Sequence, residues 1–120
     1  MKDIYSKYRS GLISENDVSS KLLSLGFDVY KPVLDNQIAD MIISKKNKFK
    51  KIQVKTGYYI KKRDCFFVSV FRTSGRGKKP YNLNEIDFII VKCQDIQTFY
   101  VFPTSFFKKR FFLQLFPNRK

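Results

Sequence analysis

The stretch PVLDNQIADMIISKKNKFKKIQVKT, residues 32–56, reads as a β-hairpin, and the rest of the fold is built around it. Apolar residues over 38–44 and again over 49–56 predict two strands, and the polar run at 45–48 predicts the turn that joins them. Side chains two residues apart on a strand point to the same face of a sheet. The hairpin therefore has one apolar face and one face that carries polar groups.

Three polar side chains of this hairpin are predicted to converge. Gln53 and Lys55 share one face of the second strand, and Asp40 lies at the start of the first. If the strands pair, the carboxylate of Asp40 comes close to the amide and the ammonium. Such a set can hold a hard divalent cation and position a water molecule.

The order Asp40, Gln53, Lys55 resembles the signature of the PD-(D/E)XK nucleases, with Ala39-Asp40 in place of "PD" and Gln53 in place of the usual acid. A second strand reading I-Q-V-K-T resembles the branch that contains intron-encoded homing endonucleases and their phage and bacterial relatives. The resemblance spans residues 10–103. It also includes Ser14-Glu15, Gly26, Pro32, Asp35-Asn36, the run GRGKKPY at 75–81, and the run EIDF at 85–88.

This resemblance implies an α/β fold with a restriction-endonuclease-like core. We expect one domain over 1–120, with a mixed central sheet of about five strands, an N-terminal helix and a short C-terminal helix. The implied activity is a metal-dependent DNA endonuclease, either homing-type or Holliday-junction-resolving, acting on duplex or branched DNA.

The resemblance also implies roles for individual residues. Mg²⁺, with Mn²⁺ as a substitute, would be held by Asp40, Gln53, Glu15 and the backbone carbonyl of Val54. Lys55 would orient the attacking water and offset charge on the scissile phosphate. Because Gln53 is neutral, we expect weak metal affinity that depends on the bound DNA phosphate.

Glu15 has two interpretations from the pattern alone. Ser14 resembles a helix N-cap and Gly26 a helix end, which predicts a helix between them. The helical period places Glu15 on the same stripe as Val18 and Leu22. Glu15 is either a solvated first-turn acid that complements the helix dipole or, as the resemblance favours, a carboxylate beside the metal.

Asp35 and the basic segments also keep alternatives. Asp35-Asn36 indicates a turn, or a carboxylate near Asp40 that supports the metal site. The basic hairpin tip is either solvated or a phosphate contact, and the glycine-rich stretch 73–81 is either a mobile surface loop or a phosphate-binding loop. The predicted DNA-binding residues are Arg72, Arg76, Lys78, Lys79, Lys45 and Lys46.

Composition narrows the function classes. The 120 residues include 24 Lys and Arg against 10 Asp and Glu, a formal net charge of +14, which indicates a polyanionic partner. The sequence contains no His, which excludes HNH nucleases, Ser-His-Asp hydrolases and His-ligated zinc sites.

Cys65 and Cys93 lack metal-site spacing and are expected to be reduced, buried residues. Without a signal-peptide pattern or a long apolar run, we expect a cytoplasmic protein that has access to its host's DNA and does not contact membrane.

The last segment, 104–120, is rich in Phe and contains three consecutive bases. Thr104 is predicted to cap a short helix, and the aromatic side chains either cover the sheet or bury in a partner subunit. A homo-oligomer, dimer or tetramer, is expected because a double-strand cut needs two sites. Two other functions fit the composition: a nucleic-acid-binding module that has the fold without the chemistry, and a basic structural or ribosome-associated protein.

Overall fold

The computed structural model describes residues 4–34 and 37–118, apart from the side chains of Ile4, Tyr5 and Ser74. Its elements are helix α1 (Ile4–Ser24) and strands β1 (Asp28–Tyr30), β2 (Met41–Lys45), β3 (Lys48–Ile60), β4 (Cys65–Ser69), β5 (Arg72–Ser74), β6 (Gly77–Lys79), β7 (Phe88–Cys93), β8 (Phe99–Pro103) and β9 (Phe112–Leu115), with 3-10 helices at Lys61–Arg63 and Thr104–Phe107.

The central sheet is mixed, as predicted, and has seven strands instead of about five. Its order is β1-β2-β3-β4-β9, and β7 pairs with β3 and carries β8. The β3–β7 pair is parallel, from Ile52↔Phe88 to Gly57↔Cys93, and the other pairs are antiparallel. The long strand β3 is therefore the organising element, because it joins β2, β4 and β7.

The predicted hairpin is present as β2 and β3, paired from Met41↔Ile52 to Lys45↔Lys48. Its turn residues, Lys46 and Asn47, have φ of 52° and 64°. Two consecutive left-handed residues match the twist of a two-residue hairpin turn. The first strand begins at Met41, three residues later than predicted.

Helix α1 begins well before Ser14, so the predicted N-cap is wrong. Ser14 is instead 2% exposed in the middle of the helix, one turn before Val18 and two turns before Leu22 on the stripe that faces the sheet. The predicted end is confirmed: Gly26 has φ of 90°, its N–H donates to the Leu23 carbonyl, and the Phe27 N–H donates to the Leu22 carbonyl. These two bonds form a Schellman cap.

Two buried clusters lie on the two faces of the sheet. Because paired residues of β3 and β7 share a face, Val54 and Ile90 belong to the cluster under α1, whereas Ile89 and Val91 belong to the opposite cluster. The first comprises Val18, Leu22, Met41, Ile43, Ile52, Val54 and Ile90. The second comprises Phe66, Val68, Val70, Ile86, Ile89, Val91, Cys93, Phe107 and Leu115.

An ion pair between a buried lysine and a half-buried aspartate joins α1 to β7. The Lys92 ammonium, with a side chain 3% exposed, lies 3.2 Å from the Asp17 carboxylate. Asp17 is thus a tertiary partner in the middle of the helix, because the helix starts earlier than expected.

The glycine-rich stretch forms a small β-hairpin, whereas the sequence predicted a loop. Strands β5 and β6 pair from Arg72↔Lys79 to Ser74↔Gly77, with Gly75 and Arg76 in the turn. Gly77 has φ of 106°, a conformation that glycine adopts at low cost.

The C-terminal segment covers the sheet. The predicted short helix is the 3-10 helix Thr104–Phe107, in which Phe107 is 1% exposed. The predicted cap is wrong, because Thr104 is the first residue of this helix, and the residue before it, Pro103, offers no side-chain cap. Strand β9, which the sequence did not predict, pairs with β4 and buries Leu115. No helix in the described part of the chain has the length and apolar character needed to cross a membrane.

Candidate active site

Asp40 is fixed against β3 by two hydrogen bonds. Its carboxylate Oδ2 accepts the Val54 N–H at 2.7 Å, and its own N–H donates to the Ile52 carbonyl at 2.8 Å. The carboxylate therefore lies beside the backbone of β3 between Gln53 and Lys55. This is the position of Asp40 that the predicted convergence with Gln53 and Lys55 requires.

The acidity of Asp40 reflects its surroundings. The pKa of Asp40 is raised from 3.8 to about 6, chiefly by burial and to a lesser extent by the negative charge of Glu15. The Val54 N–H and the ammonium groups of Lys55 and Lys31 oppose this rise. A carboxylate with a pKa near neutrality, close to a second carboxylate, gains from a nearby cation.

Glu15 reaches the site from α1. It lines a cleft of about 330 Å³ with Asp40, and its Oε1 lies 3.5 Å from the Lys31 ammonium. The helix is held to β3 at this point because the Ser14 hydroxyl hydrogen-bonds the Thr56 hydroxyl at 2.7 Å. Glu15, next to Ser14 and beside the buried stripe, is therefore directed toward the sheet edge and is not a solvated first-turn acid.

Gln53 and Lys55 line a neighbouring cleft of about 360 Å³ on the other side of the segment that leads into β2. Gln37 lines both clefts, so the two are adjacent. The Gln53 side-chain N–H donates to the Val54 carbonyl at 3.5 Å, a long bond that leaves the amide oxygen to accept elsewhere. The Lys55 ammonium lies 5.2 Å from the centre of the Tyr81 ring, within cation–π range.

The donor set fits a hard divalent cation. Two carboxylates that repel each other, an amide oxygen and a backbone carbonyl are oxygen ligands of the kind that Mg²⁺ and Mn²⁺ take. Among residues 4–34 and 37–118, no three His, Cys, Asp or Glu side chains cluster together, so any such ion would meet few protein charges. Asp35, predicted to support the site, lies outside the described residues.

Several of the predicted DNA-binding residues have partners within the protein. Lys45 donates to the Leu25 carbonyl at the end of α1, Arg72 pairs with Glu85 at 3.0 Å, and the Lys78 ammonium lies over the Phe71 and Phe112 rings. Five of the six side chains are exposed, and only Arg72 is half-buried.

Sequence reasoning assigned no role to Lys31, Tyr81 or Thr56. Thr56 is the last residue of the I-Q-V-K-T motif and Tyr81 the last of the glycine-rich run, so the motif pattern contained a signal for both. Lys31 had no such signal. It follows β1, and only the packing of β1 beside the hairpin brings it to Glu15.

Comparison with known proteins places this geometry in a family. The profile of the PD-(D/E)XK endonuclease family matches residues 5–119. Protein 5.3 of Escherichia phage T7 is 31% identical over 85 residues, which cover 71% of each chain. The bacterial homing endonuclease I-Ssp6803I has a similar structure, with a TM-score of 0.83 and 26% identity over 96% of this chain and 82% of that one. This match confirms the restriction-endonuclease-like fold. The chain belongs to the PD-(D/E)XK endonuclease family.

Proposed function

We propose that this protein is a metal-dependent endonuclease that hydrolyses DNA phosphodiester bonds. The observation that carries the proposal is the Asp40 carboxylate, bonded to the Val54 N–H between Gln53 and Lys55 and within electrostatic reach of Glu15. Family membership, the likeness to a homing endonuclease and the net charge of +14 support a DNA substrate.

The residues that would hold Mg²⁺, or Mn²⁺ in its place, are Asp40, Glu15, Gln53 and the Val54 carbonyl. The bound ion would supply Lewis acidity at the scissile phosphate. Asp40 provides the central oxygen, and its bond to the Val54 N–H fixes the orientation of the carboxylate. The neutral Gln53 amide adds an oxygen without adding charge.

Lys55 is the proposed catalytic cation. Its ammonium offsets the negative charge that develops on the phosphate during attack, and it orients the attacking water through an N–H bond. The Tyr81 ring beside it restricts the long side chain. Preorganised charge of this kind is more effective than the same charge on a mobile chain, because little reorganisation accompanies the reaction.

Cleavage of supercoiled plasmid and of branched DNA, with and without Mg²⁺, tests the proposal. Asp40→Ala and Lys55→Met should each lower the nicking rate by at least about a hundredfold, while DNA affinity measured without divalent cations stays close to that of the wild type. The control Asp28→Ala removes an exposed carboxylate of β1 and should leave the rate unchanged. Full activity in Asp40→Ala would remove the proposed centre.

Gln53 favours one alternative, a DNA-binding module without cleavage, because it replaces a negatively charged ligand. On that alternative, wild type and Asp40→Ala both bind DNA and neither cleaves it with Mg²⁺ or Mn²⁺. Gln53→Glu separates the two: an endonuclease limited by metal affinity should need less Mg²⁺ for half-maximal cleavage, whereas a binding module should gain nothing.

We extend the proposal to the form of the substrate and the assembly. Homing-type cleavage of a duplex and resolution of a junction both need two sites, so we propose a dimer or tetramer, which light scattering with and without DNA tests.

The exposed Lys79 is a proposed phosphate contact, whereas Lys78 supports the aromatic cluster of Phe71 and Phe112. Lys79→Ala should lower the slope of log K against log salt by about 1; an unchanged slope would exclude contact there. The site of action is the DNA-containing compartment of the host.

A further inference from the structure

Lys31 places a positive charge at the mouth of the candidate metal site. It lies between strand β1 and Pro32, and its ammonium is 3.5 Å from Glu15 Oε1. It lines the cleft that contains Glu15 and Asp40, and it also lines the adjoining cleft beside Ile42. Its charge lowers the pKa of Asp40, so it acts on both carboxylates.

The charges of the site cancel. The carboxylates of Glu15 and Asp40 are matched by the ammonium groups of Lys31 and Lys55, all within electrostatic reach of Asp40. A divalent cation held by oxygen ligands is favoured by negative charge around it. Because Gln53 adds none, Lys31 removes the surplus that would attract the ion to the free protein.

The contact of Lys31 with Glu15 is also easy to break. At 3.5 Å it is longer than a well-formed charge-assisted hydrogen bond, and the two side chains are 40% and 26% exposed. Pairs of this kind contribute little to stability. A phosphate that enters the cleft offers the ammonium an alternative anion.

We propose that Lys31 is a competing counter-cation: it pairs with Glu15 in the free protein and moves to a DNA phosphate when substrate binds. The site then gains net negative charge only when DNA is present, so DNA and metal bind cooperatively. This inference rests on the proposed endonuclease function and adds to it a residue that couples the two ligands.

Calorimetric titration with Ca²⁺, a hard cation that takes oxygen ligands, tests whether Lys31 weakens metal binding in the free protein. Lys31→Met should bind Ca²⁺ at least about tenfold more tightly than the wild type, the effect of one unit charge removed from contact distance in a water-like medium. Lys62→Met, in the 3-10 helix after β3, is the matched control: it lowers the net charge equally, lines neither cleft and should leave Ca²⁺ affinity unchanged.

A second measurement tests whether Lys31 couples DNA binding to metal binding. The factor by which saturating Ca²⁺ tightens binding of a short labelled duplex equals the factor by which DNA tightens Ca²⁺ binding. It should be large in the wild type and fall by roughly the same tenfold in Lys31→Met. If the ion pair were merely structural, its loss would lower the melting temperature without tightening metal binding. Thermal melts of Lys31→Met and Lys31→Gln therefore complete the set.

The outcomes separate the two claims. If the wild type binds Ca²⁺ through Asp40, and Lys31→Met shows equal or weaker affinity with an unchanged coupling factor, the role of Lys31 is refuted and the metal site stands. If no variant binds Ca²⁺ even with DNA, the proposed metal-dependent function fails and the role of Lys31 fails with it.

Discussion

Replacement of Asp40 by Asn should stabilise the fold at neutral pH while it abolishes cleavage. Burial raises the pKa of Asp40 to about 6, above the value of 3.8 expected for an unfolded chain. Between these two values the folded state holds a proton that the unfolded state has released. Stability from this group is therefore fully present below about pH 4 and is lost as the pH rises through about 6.

The size of the effect follows from the two pKa values. At 1.36 kcal/mol per pKa unit, the charged Asp40 lowers the free energy of unfolding above pH 7 by about 2–3 kcal/mol. Asparagine has the shape of the protonated acid, and its oxygen can still accept the Val54 N–H. Asp40→Asn should thus be more stable than the wild type by up to about 3 kcal/mol at pH 8 and nearly equal to it at pH 4.

Urea denaturation followed by circular dichroism at a series of pH values measures this difference. Asp28→Asn removes an exposed carboxylate of β1 and is the control, with little expected change at any pH. Mg²⁺ should stabilise the wild type and have little effect on Asp40→Asn. Equal stabilities at pH 8, or a gain that persists at pH 4, would refute the reasoning that Asp40 is held charged at a cost.

Three further predictions concern the charge of Asp40 and two contacts that α1 makes with the sheet. Because Asp40 must be charged to hold a cation, Ca²⁺ affinity should fall about tenfold per pH unit below about 6 and level off above 7; a flat profile in calorimetry contradicts this. Asp17→Ala leaves the buried Lys92 ammonium unpaired and should lower the free energy of unfolding, measured by urea denaturation, by about 3 kcal/mol. Adding Lys92→Met should restore most of this loss. A loss below about 1 kcal/mol would show that the pair is dispensable. Thr56→Val leaves the Ser14 hydroxyl without its partner and should lower the free energy of unfolding, measured by thermal denaturation, by about 1–3 kcal/mol. The double variant with Ser14→Ala should be nearly as stable as the wild type. Equal losses in the single and double variants would argue against the bond.

Much of the fold was predictable because its central signal is local. The alternation of apolar side chains over 38–44 and 49–56 predicted the hairpin of β2 and β3. Gly26 marked the end of α1 because a left-handed residue is needed there. These features depend on residues close in sequence, which a pattern can detect.

The errors arose where tertiary contacts decide the structure. Ser14 resembles an N-cap, but the distant Thr56 hydroxyl satisfies it inside a longer helix. Strand β9 is a short aromatic segment whose pairing with β4 outweighs its irregular pattern. The stretch around Gly77 was predicted to be a loop because it is rich in glycine and charge, yet it forms the paired strands β5 and β6, joined by a turn at Gly75 and Arg76.

The site was predictable in its motif and not in its balance of charge. The spacing of Asp40, Gln53 and Lys55 follows from strand geometry and a family resemblance. The contact between Lys31 and Glu15 joins a loop to a helix, and no sequence period reports it. The raised pKa of Asp40 arises from burial, which is likewise a property of the assembled fold.

The most direct test of the central claim is the position of Mn²⁺ in crystals of the protein bound to DNA, located by anomalous scattering. We predict a peak in contact with the Asp40 carboxylate, with the Gln53 amide oxygen and the Val54 carbonyl also within bonding distance and the Lys55 ammonium facing the same phosphate. A complex with no peak at Asp40, or with manganese bound only elsewhere, would contradict the proposed catalytic centre.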